Sequence, residues 1–261
     1  MIRRSILNFL TFFLPIGLAA ATSDSSAPGQ PLLVAAAADL APLEVQLTQG
    51  FASSGGGSVR FIFGSSGMLA RQLEKGAPYD VYLSANEQFV DQLAASGTLL
   101  RDSLACYASG RLGLWSARTP VPDLQALLQA NFRLIAIPNP QHAPYGAAAV
   151  AMLQRLGLWT KLQPKAVYAE NVRQAFEYAA TGNADAVITA WTLLAAKPGA
   201  KLLPAASHPP IRQFGGVVRG PAHEARARAF LRFLLAPAGQ AILLAAGLDP
   251  PLAAPAALPA R

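Results

Sequence analysis

The chain has 261 residues, with 21 Lys+Arg against 14 Asp+Glu for a formal charge of +7, 52% hydrophobic residues, 13% charged residues and a single cysteine. That length holds one large or two ordinary domains and can bury a full core without covalent staples. One cysteine excludes an intramolecular disulfide, a cysteine-rich zinc module and an iron–sulfur cluster within a monomer, and the apolar balance excludes a disordered chain.

At the N-terminus Arg3 and Arg4 precede an apolar run from Ile6 to Leu18 and the small residues Ala19-Ala20-Ala21. This is the pattern of a secretory signal peptide over residues 1–21, cleaved after about Ala21. The apolar run, at about 13 residues, is shorter than the ~20 that a spanning helix needs, and no later segment is longer. Loss of the signal leaves 19 Lys+Arg against 14 Asp+Glu, a mature charge of +5. The cations are scattered singly, which argues against a nucleic-acid groove. Residues 22–30 read as a flexible leader, and 248–261, with four prolines, as a disordered tail.

Between them, short apolar runs alternate with segments of helical period. Leu32–Ala37 reads as a strand, and Leu40, Leu43, Leu47 and Phe51 recur at helical spacing with Pro42 in the first turn. Ser58–Phe63 is a second strand, Gly64-Ser65-Ser66-Gly67 a turn, and Met68, Leu69 and Leu73 mark a helix ending at Gly76. Tyr79–Leu83 is a third strand, followed by a helix carrying Phe89, Val90 and Leu93. Arg111–Trp115, Leu134–Ile137 and Ala186–Thr189 are further strands. Helices are expected over Gly146–Leu156, Val172–Thr181, Arg226–Leu235 and Ala238–Ala246. Strand–turn–helix units in this number indicate an α/β fold with a mostly parallel sheet, as one sheet or as two lobes.

The usual catalytic signatures are absent. Ser66 is followed by Gly67-Met68, which breaks a Gly-x-Ser-x-Gly elbow, and His223-Glu224 has no second histidine four residues on. There is no phosphate-binding loop and no dinucleotide fingerprint, and Gly55-Gly56-Gly57 follows a helix as a plain turn. His142, His208 and His223 lie far apart in loop-like segments, which does not favour a metal site. Cys106, in Leu104-Ala105-Cys106-Tyr107, reads as a small buried core residue.

What remains is a set of small and hydroxyl residues at strand-to-helix turns: Ala38-Asp39, Ser65-Ser66-Gly67, Asn139 to Gly146, and Glu170-Asn171-Val172. In parallel α/β sheets such turns gather at the carboxyl edge, where ligands bind. Free backbone N–H groups and helix dipoles at that edge make an anion site without any Lys or Arg. Each turn taken alone is also an ordinary helix cap.

The wording of these segments is specific. VAAAADL (Val34–Leu40), FGSSGMLARQLEKGAPYDVYLSANE (Phe63–Glu87), PNPQHAPYG (Pro138–Gly146), LGLWTKL (Leu156–Leu162), AENVRQAFEYAATGNADA (Ala169–Ala186) and AGQAILLAAG (Ala238–Gly247) resemble, in order and over about 33–247, the periplasmic molybdate-binding proteins of molybdate ABC transporters. These are type II periplasmic binding proteins. The resemblance implies two α/β lobes, each a mostly parallel sheet flanked by helices, with the ligand in the cleft between them. Lobe one would be 31–108 plus 213–247 and lobe two 109–212. It implies no enzyme, no cofactor, a free monomer in the periplasm, a membrane permease as partner, and molybdate or tungstate as cargo.

Carried over by position, the resemblance implies an oxyanion site of Ala38, Asp39, Ser66, Tyr145 and Val172, with Ser65 and Asn171 as secondary members. Ser66, Tyr145 and Val172 would meet the metal only through the oxyanion's oxygens, with no direct ligation. Many members have Ser or Asn where Asp39 stands. A carboxylate aimed at a dianion would repel it by several kcal/mol at low dielectric, so Asp39 is expected to fold back, cap its own helix and offer only its backbone N–H. Ala190 stands where one branch of the family has a tyrosine, and Tyr145 matches the tyrosine of a second branch. Three other readings are a receptor for sulfate or phosphate, an exported hydrolase with Ser66 as nucleophile, and a structural or adhesive module. Asp39, as an acceptor for a phosphate proton, favours the phosphate form of the first.

Overall fold

The computed structural model describes residues 30–251 apart from Pro221. The signal peptide, residues 22–29 of the leader and residues 252–261 of the tail lie outside the described residues. The first part of the chain gives β1 (Leu32–Ala37), α1 (Glu44–Ser53), β2 (Val59–Gly64), α2 (Ser66–Glu74), β3 (Val81–Ser84), α3 (Glu87–Ala95) and β4 (Ala105–Gly110). Then come β5 (Leu112–Trp115), β6 (Ile135–Pro138), α4 (Pro144–Arg155), α5 (Trp159–Leu162), β7 (Ala166–Ala169), α6 (Val172–Thr181), β8 (Ala186–Ala190), α7 (Trp191–Leu194) and β9 (Lys201–Leu202). The chain ends with β10 (Ile211–Val217), α8 (Glu224–Leu235) and α9 (Pro237–Ala245). No single helix among the described residues is long and apolar enough to cross a membrane.

Two five-stranded sheets result, in the orders β2-β1-β3-β10-β4 and β7-β6-β8-β5-β9. Each is mixed. The three strands that carry the expected units pair in parallel, β2-β1-β3 and β7-β6-β8, while the strands of the crossings pair antiparallel. Gly110 belongs to the first sheet and Leu112 to the second, so the chain crosses at Arg111 and has returned by Ile211.

The parallel strands are legible as apolar runs because both their faces are covered. On β1 the side chains of Leu32, Val34 and Ala36 enter one core with Leu43, Leu47, Phe51, Phe230 and Phe233, and Ala35 faces another with Leu69, Leu73, Tyr82, Val90 and Leu93. Phe51 stands edge-on to Phe230 at 5.1 Å between ring centroids. In the second lobe β6 alternates likewise, Ile135 and Ile137 on the α4 side and Ala136 on the α6 side. One core joins the lobes: Ala37, Ala38 and Ala85 of the first pack with Tyr145, Ala148 and Val172 of the second.

Six elements are absent from the sequence expectation: β4, β7, β9, β10, α5 and α7. Strand β10 carries Arg212, Gln213, Gly215 and Gly216, an unpromising strand composition. The glycines are there for space, since a Cβ on Gly215 would stand 2.9 Å from Leu83 and Leu231, and one on Gly216 would stand 2.8 Å from Leu104. The expected tail begins too early. Leu248 is buried, and Asp249 pairs its backbone with Ser109 at 2.9 Å and its carboxylate with Arg111 at 3.1 Å. Residues 248 and 249 therefore pin the lobe crossing. Cys106 lies half-buried on β4 rather than in the core.

Candidate functional site

The turns singled out in the sequence meet at one place. The carboxyl ends of β1 and β2 deliver Ala38-Asp39 and Ser65-Ser66 from the first lobe, and β6 and β7 deliver Tyr145 and Asn171-Val172 from the second. Together they line a narrow cavity of about 10 Å³. None of its lining residues is Lys or Arg. Tyr145 and Ser66 are each 1% exposed, and Asp39 is fully buried.

Two helix starts supply neutral donors. Ser66 opens α2; its hydroxyl accepts the Ala85 N–H at 3.0 Å, which leaves its own proton to donate, and its carbonyl accepts the Tyr82 hydroxyl at 2.7 Å. Asn171 caps α6 and accepts the N–H groups of Arg173 and Gln174, both at 3.0 Å. The cap leaves the Val172 N–H, first of the helix, beside the cavity. The Thr189 hydroxyl holds the Val172 carbonyl at 2.9 Å and so fixes that turn. Both helix dipoles place their positive ends here.

Across the cleft the lobes are tied by the segment before α4. Ser65 Oγ meets His142 Nδ1 at 2.8 Å, and the Gly67 N–H donates to the His142 carbonyl at 2.9 Å. Burial, with Arg71 nearby, holds the His142 imidazole below its ordinary range. Among the described residues no carboxylate hydrogen-bonds this ring, and Ser66 bonds a backbone amide instead of a histidine, so neither serine has the partners of an activated nucleophile there. No group of three or more His, Cys, Asp or Glu able to hold a metal ion occurs among the described residues.

Asp39 departs from the expectation. Residues Ala38–Leu43 form a 3-10 turn whose N-cap is Ala37, and the Asp39 carboxylate, though near its own backbone N–H, takes its side-chain partners from distant elements. Oδ2 instead accepts the Tyr145 hydroxyl at 2.8 Å and Gln213 Nε2 at 2.5 Å. Gln213 Nε2 also donates to Tyr145 Oη at 3.0 Å, and Tyr107 donates to Gln213 Oε1 at 3.0 Å. Thr192, from the second lobe, donates to the Asp39 carbonyl at 2.7 Å. Burial pushes the carboxyl up to about 6, with the Tyr145 and Gln213 bonds and its own backbone N–H opposing it. The Tyr145 hydroxyl, assigned to the anion by the sequence, is thus engaged with Asp39.

Gln213, Tyr107, His142 and Thr192 are site-supporting residues that the sequence reading missed. Gln213 stands 174 residues from Asp39, in a strand with no motif around it. Ala190 ends β8 fully buried and brings no polar side chain. Two larger hollows occur, about 400 Å³ between Asn86 and Arg212, which shares Ala85 and Pro144 with this cavity, and about 430 Å³ beside Asp80 and His223.

Two sheets that each turn their parallel carboxyl ends toward a shared, cation-free cavity define a two-lobed solute-binding protein. The chain belongs to the family of bacterial extracellular solute-binding proteins, whose model matches residues 32–249. It is 37% identical over 190 residues to a molybdate-binding protein of Rhodobacter capsulatus, covering 72% of this chain and 75% of that one. To the molybdate-binding protein of Azotobacter vinelandii it is 35% identical over 181 residues, covering 69% of this chain and 72% of that one. The solved periplasmic molybdate-binding protein of Azotobacter vinelandii superposes with a TM-score of 0.80 at 38% identity, over 85% of this chain and all of that one.

Proposed function

We propose that this protein is the periplasmic receptor of a molybdate ABC transporter: it binds molybdate, and tungstate with it, and delivers the anion to a membrane permease. The observation that carries the reading is the meeting of two helix starts, at Ser66 from one lobe and at Val172 from the other, in a small buried cavity without cations. Neutral donors held by the fold recognise a dehydrated dianion at no cost of reorganisation, and helix dipoles supply the field. The Ser66 hydroxyl and N–H, the Val172 N–H and the backbone of Ala38-Asp39 form the cradle. Ser65 and Asn171 hold the turns, and Tyr145 enters through Asp39. The size of the cradle once an anion is bound would separate molybdate and tungstate from the smaller sulfate.

The oxyanion is cargo, and the reading calls for no resident cofactor and no catalytic step. The basic start and short apolar run of residues 1–21 support export by a cleavable signal, and a free monomer in the periplasm fits the receptor role. A panel of thermal unfolding scans tests the ligand. Anion at ~1,000 times Kd stabilises by about 4 kcal/mol, which for a domain this size raises Tm by roughly 10 °C. Molybdate and tungstate should do so and sulfate and phosphate should not; a shift with sulfate or phosphate alone would reassign the cargo.

A further inference from the structure

The receptor reading leaves one side chain unexplained, and the inference rests on that reading. Asp39 lines the cavity, is fully buried, and has one carboxylate oxygen, Oδ1, without a hydrogen-bond partner among the described residues. A buried charged oxygen left in that condition is costly, and beside a dianion more so. We propose that Asp39 takes part in binding as a neutral acid, so that each dianion enters the site together with one proton, held on Oδ1 and donated to an anion oxygen.

The hydrogen-bond directions assign that proton. Tyr107 donates to Gln213 Oε1, which turns the Gln213 amide nitrogen toward Asp39. That nitrogen donates both to Oδ2 and to the Tyr145 oxygen, so the Tyr145 proton is directed to Oδ2 as well. With two donors aimed at it, Oδ2 is an acceptor and has no place for a proton. Oδ1 is the remaining position. An acid so arranged keeps its carbonyl oxygen in the network and turns its O–H toward the cavity.

Burial favours the neutral form and outweighs the Tyr145 and Gln213 donors and the Asp39 backbone N–H, which favour the charged one. On α4 and β4 the facing titratable groups are Tyr145 and Tyr107, both pushed well above their ordinary range by burial, so they stay uncharged. From α7 comes the Thr192 hydroxyl, on the Asp39 carbonyl, and β10 offers the neutral Gln213. His142 meets Ser65 rather than Asp39. Burial is the first cause that raises the Asp39 carboxyl, and no charged neighbour is among the causes. The balance is simple: carboxylate, one solvent proton and a dianion give a carboxylic acid hydrogen-bonded to the dianion. No bond within the anion changes.

Calorimetric titration of the mature protein with molybdate at pH 7.5, in two buffers of different ionisation enthalpy, counts the proton. The expected result is close to one proton taken up per anion bound, falling toward zero at pH 5, with Kd weakening about tenfold per pH unit between pH 7 and 9. Asp39→Asn, which places an N–H₂ donor in the cavity without a proton from solvent, should abolish the uptake and flatten the affinity across that range. Fewer than about 0.2 protons taken up by the wild type would overturn the inference, as would an Asp39→Asn protein that keeps the uptake, since the proton would then sit elsewhere, as on His142. If the variant does not fold, the wild-type proton count and slope decide alone. Monohydrogen phosphate, which brings its own proton, gives a further arm: its binding without uptake, where molybdate fails to bind, would make Asp39 an ionised acceptor and overturn the proposal. Molybdate binding with no proton linkage defeats this inference and leaves the receptor reading standing, whereas silence from every oxyanion at both pH values defeats both.

Discussion

Gly67→Ala separates the stability of the lobes from their closure over the anion. Gly67 is the second residue of α2, with φ outside the left-handed region, so alanine suits its backbone and favours the helix by about 0.5–1 kcal/mol. The obstacle is across the cleft. A Cβ at this position would stand 3.0 Å from the Cα, the Cβ and the carbonyl oxygen of His142. Two of those atoms are backbone, so the loop cannot yield by turning a side chain. Relief requires the lobes to part slightly, which stretches the Gly67 N–H to His142 carbonyl bond of 2.9 Å and the Ser65–His142 bond of 2.8 Å. At ~0.5–1.5 kcal/mol each, their loss amounts to about 1–3 kcal/mol. Charged against closure alone, that is roughly a 5- to 150-fold weaker Kd for molybdate. Titration calorimetry measures the affinity, and thermal unfolding of the anion-free protein measures the fold. Weaker binding with an unchanged or slightly raised Tm is expected. An affinity within twofold of wild type would refute the role of this contact in closure.

Three further outcomes follow from the packing and the charges. Asp39 titrates at about 6 in the fold against 3.8 outside it, so its contribution to stability is full below pH 3.8 and is lost as pH rises through 6. The difference is about 3 kcal/mol, and urea unfolding of the anion-free protein from pH 4 to 7 should show a loss that Asp39→Asn lacks. Asn171→Ala removes the acceptor of two N–H groups at the start of α6 and should cost about 0.5–2 kcal/mol of stability, read by urea unfolding, together with weaker molybdate binding as the Val172 turn loosens. Phe230→Ala empties the centre of an aromatic cluster with Phe51, Phe61 and Phe233, and should cost about 3–5 kcal/mol in the same assay without changing the anion preference of whatever protein still folds.

The parallel strands and their helices were readable because their physics is local. Leu32–Ala37 is apolar throughout since helices cover both its faces, and Val172–Thr181 carries its cap, its apolar stripe and its terminal Gly182 in one stretch. The same locality made Ser66 and Val172 visible as helix starts at strand ends. The crossing strands were hidden for the opposite reason. Gly215 and Gly216 reflect leucines brought in from Leu83, Leu104 and Leu231, and a strand whose side chains are supplied by its neighbours has no pattern of its own. Asp39 shows the limit most clearly. Charge repulsion alone suggested that its carboxylate would turn away from the cavity, but the partners that keep it there, Tyr145 and Gln213, are 106 and 174 residues distant. Nothing near Asp39 in the chain announces them.

The central claim is that converging neutral helix starts make this protein a receptor for a tetrahedral metal oxyanion. Its most direct test is calorimetric titration of the mature chain, stripped of anion, with molybdate, tungstate, sulfate and phosphate in turn. One-to-one binding of the first two with no heat of binding from the others is the predicted result. A preference for sulfate or phosphate, or silence from all four, would contradict it.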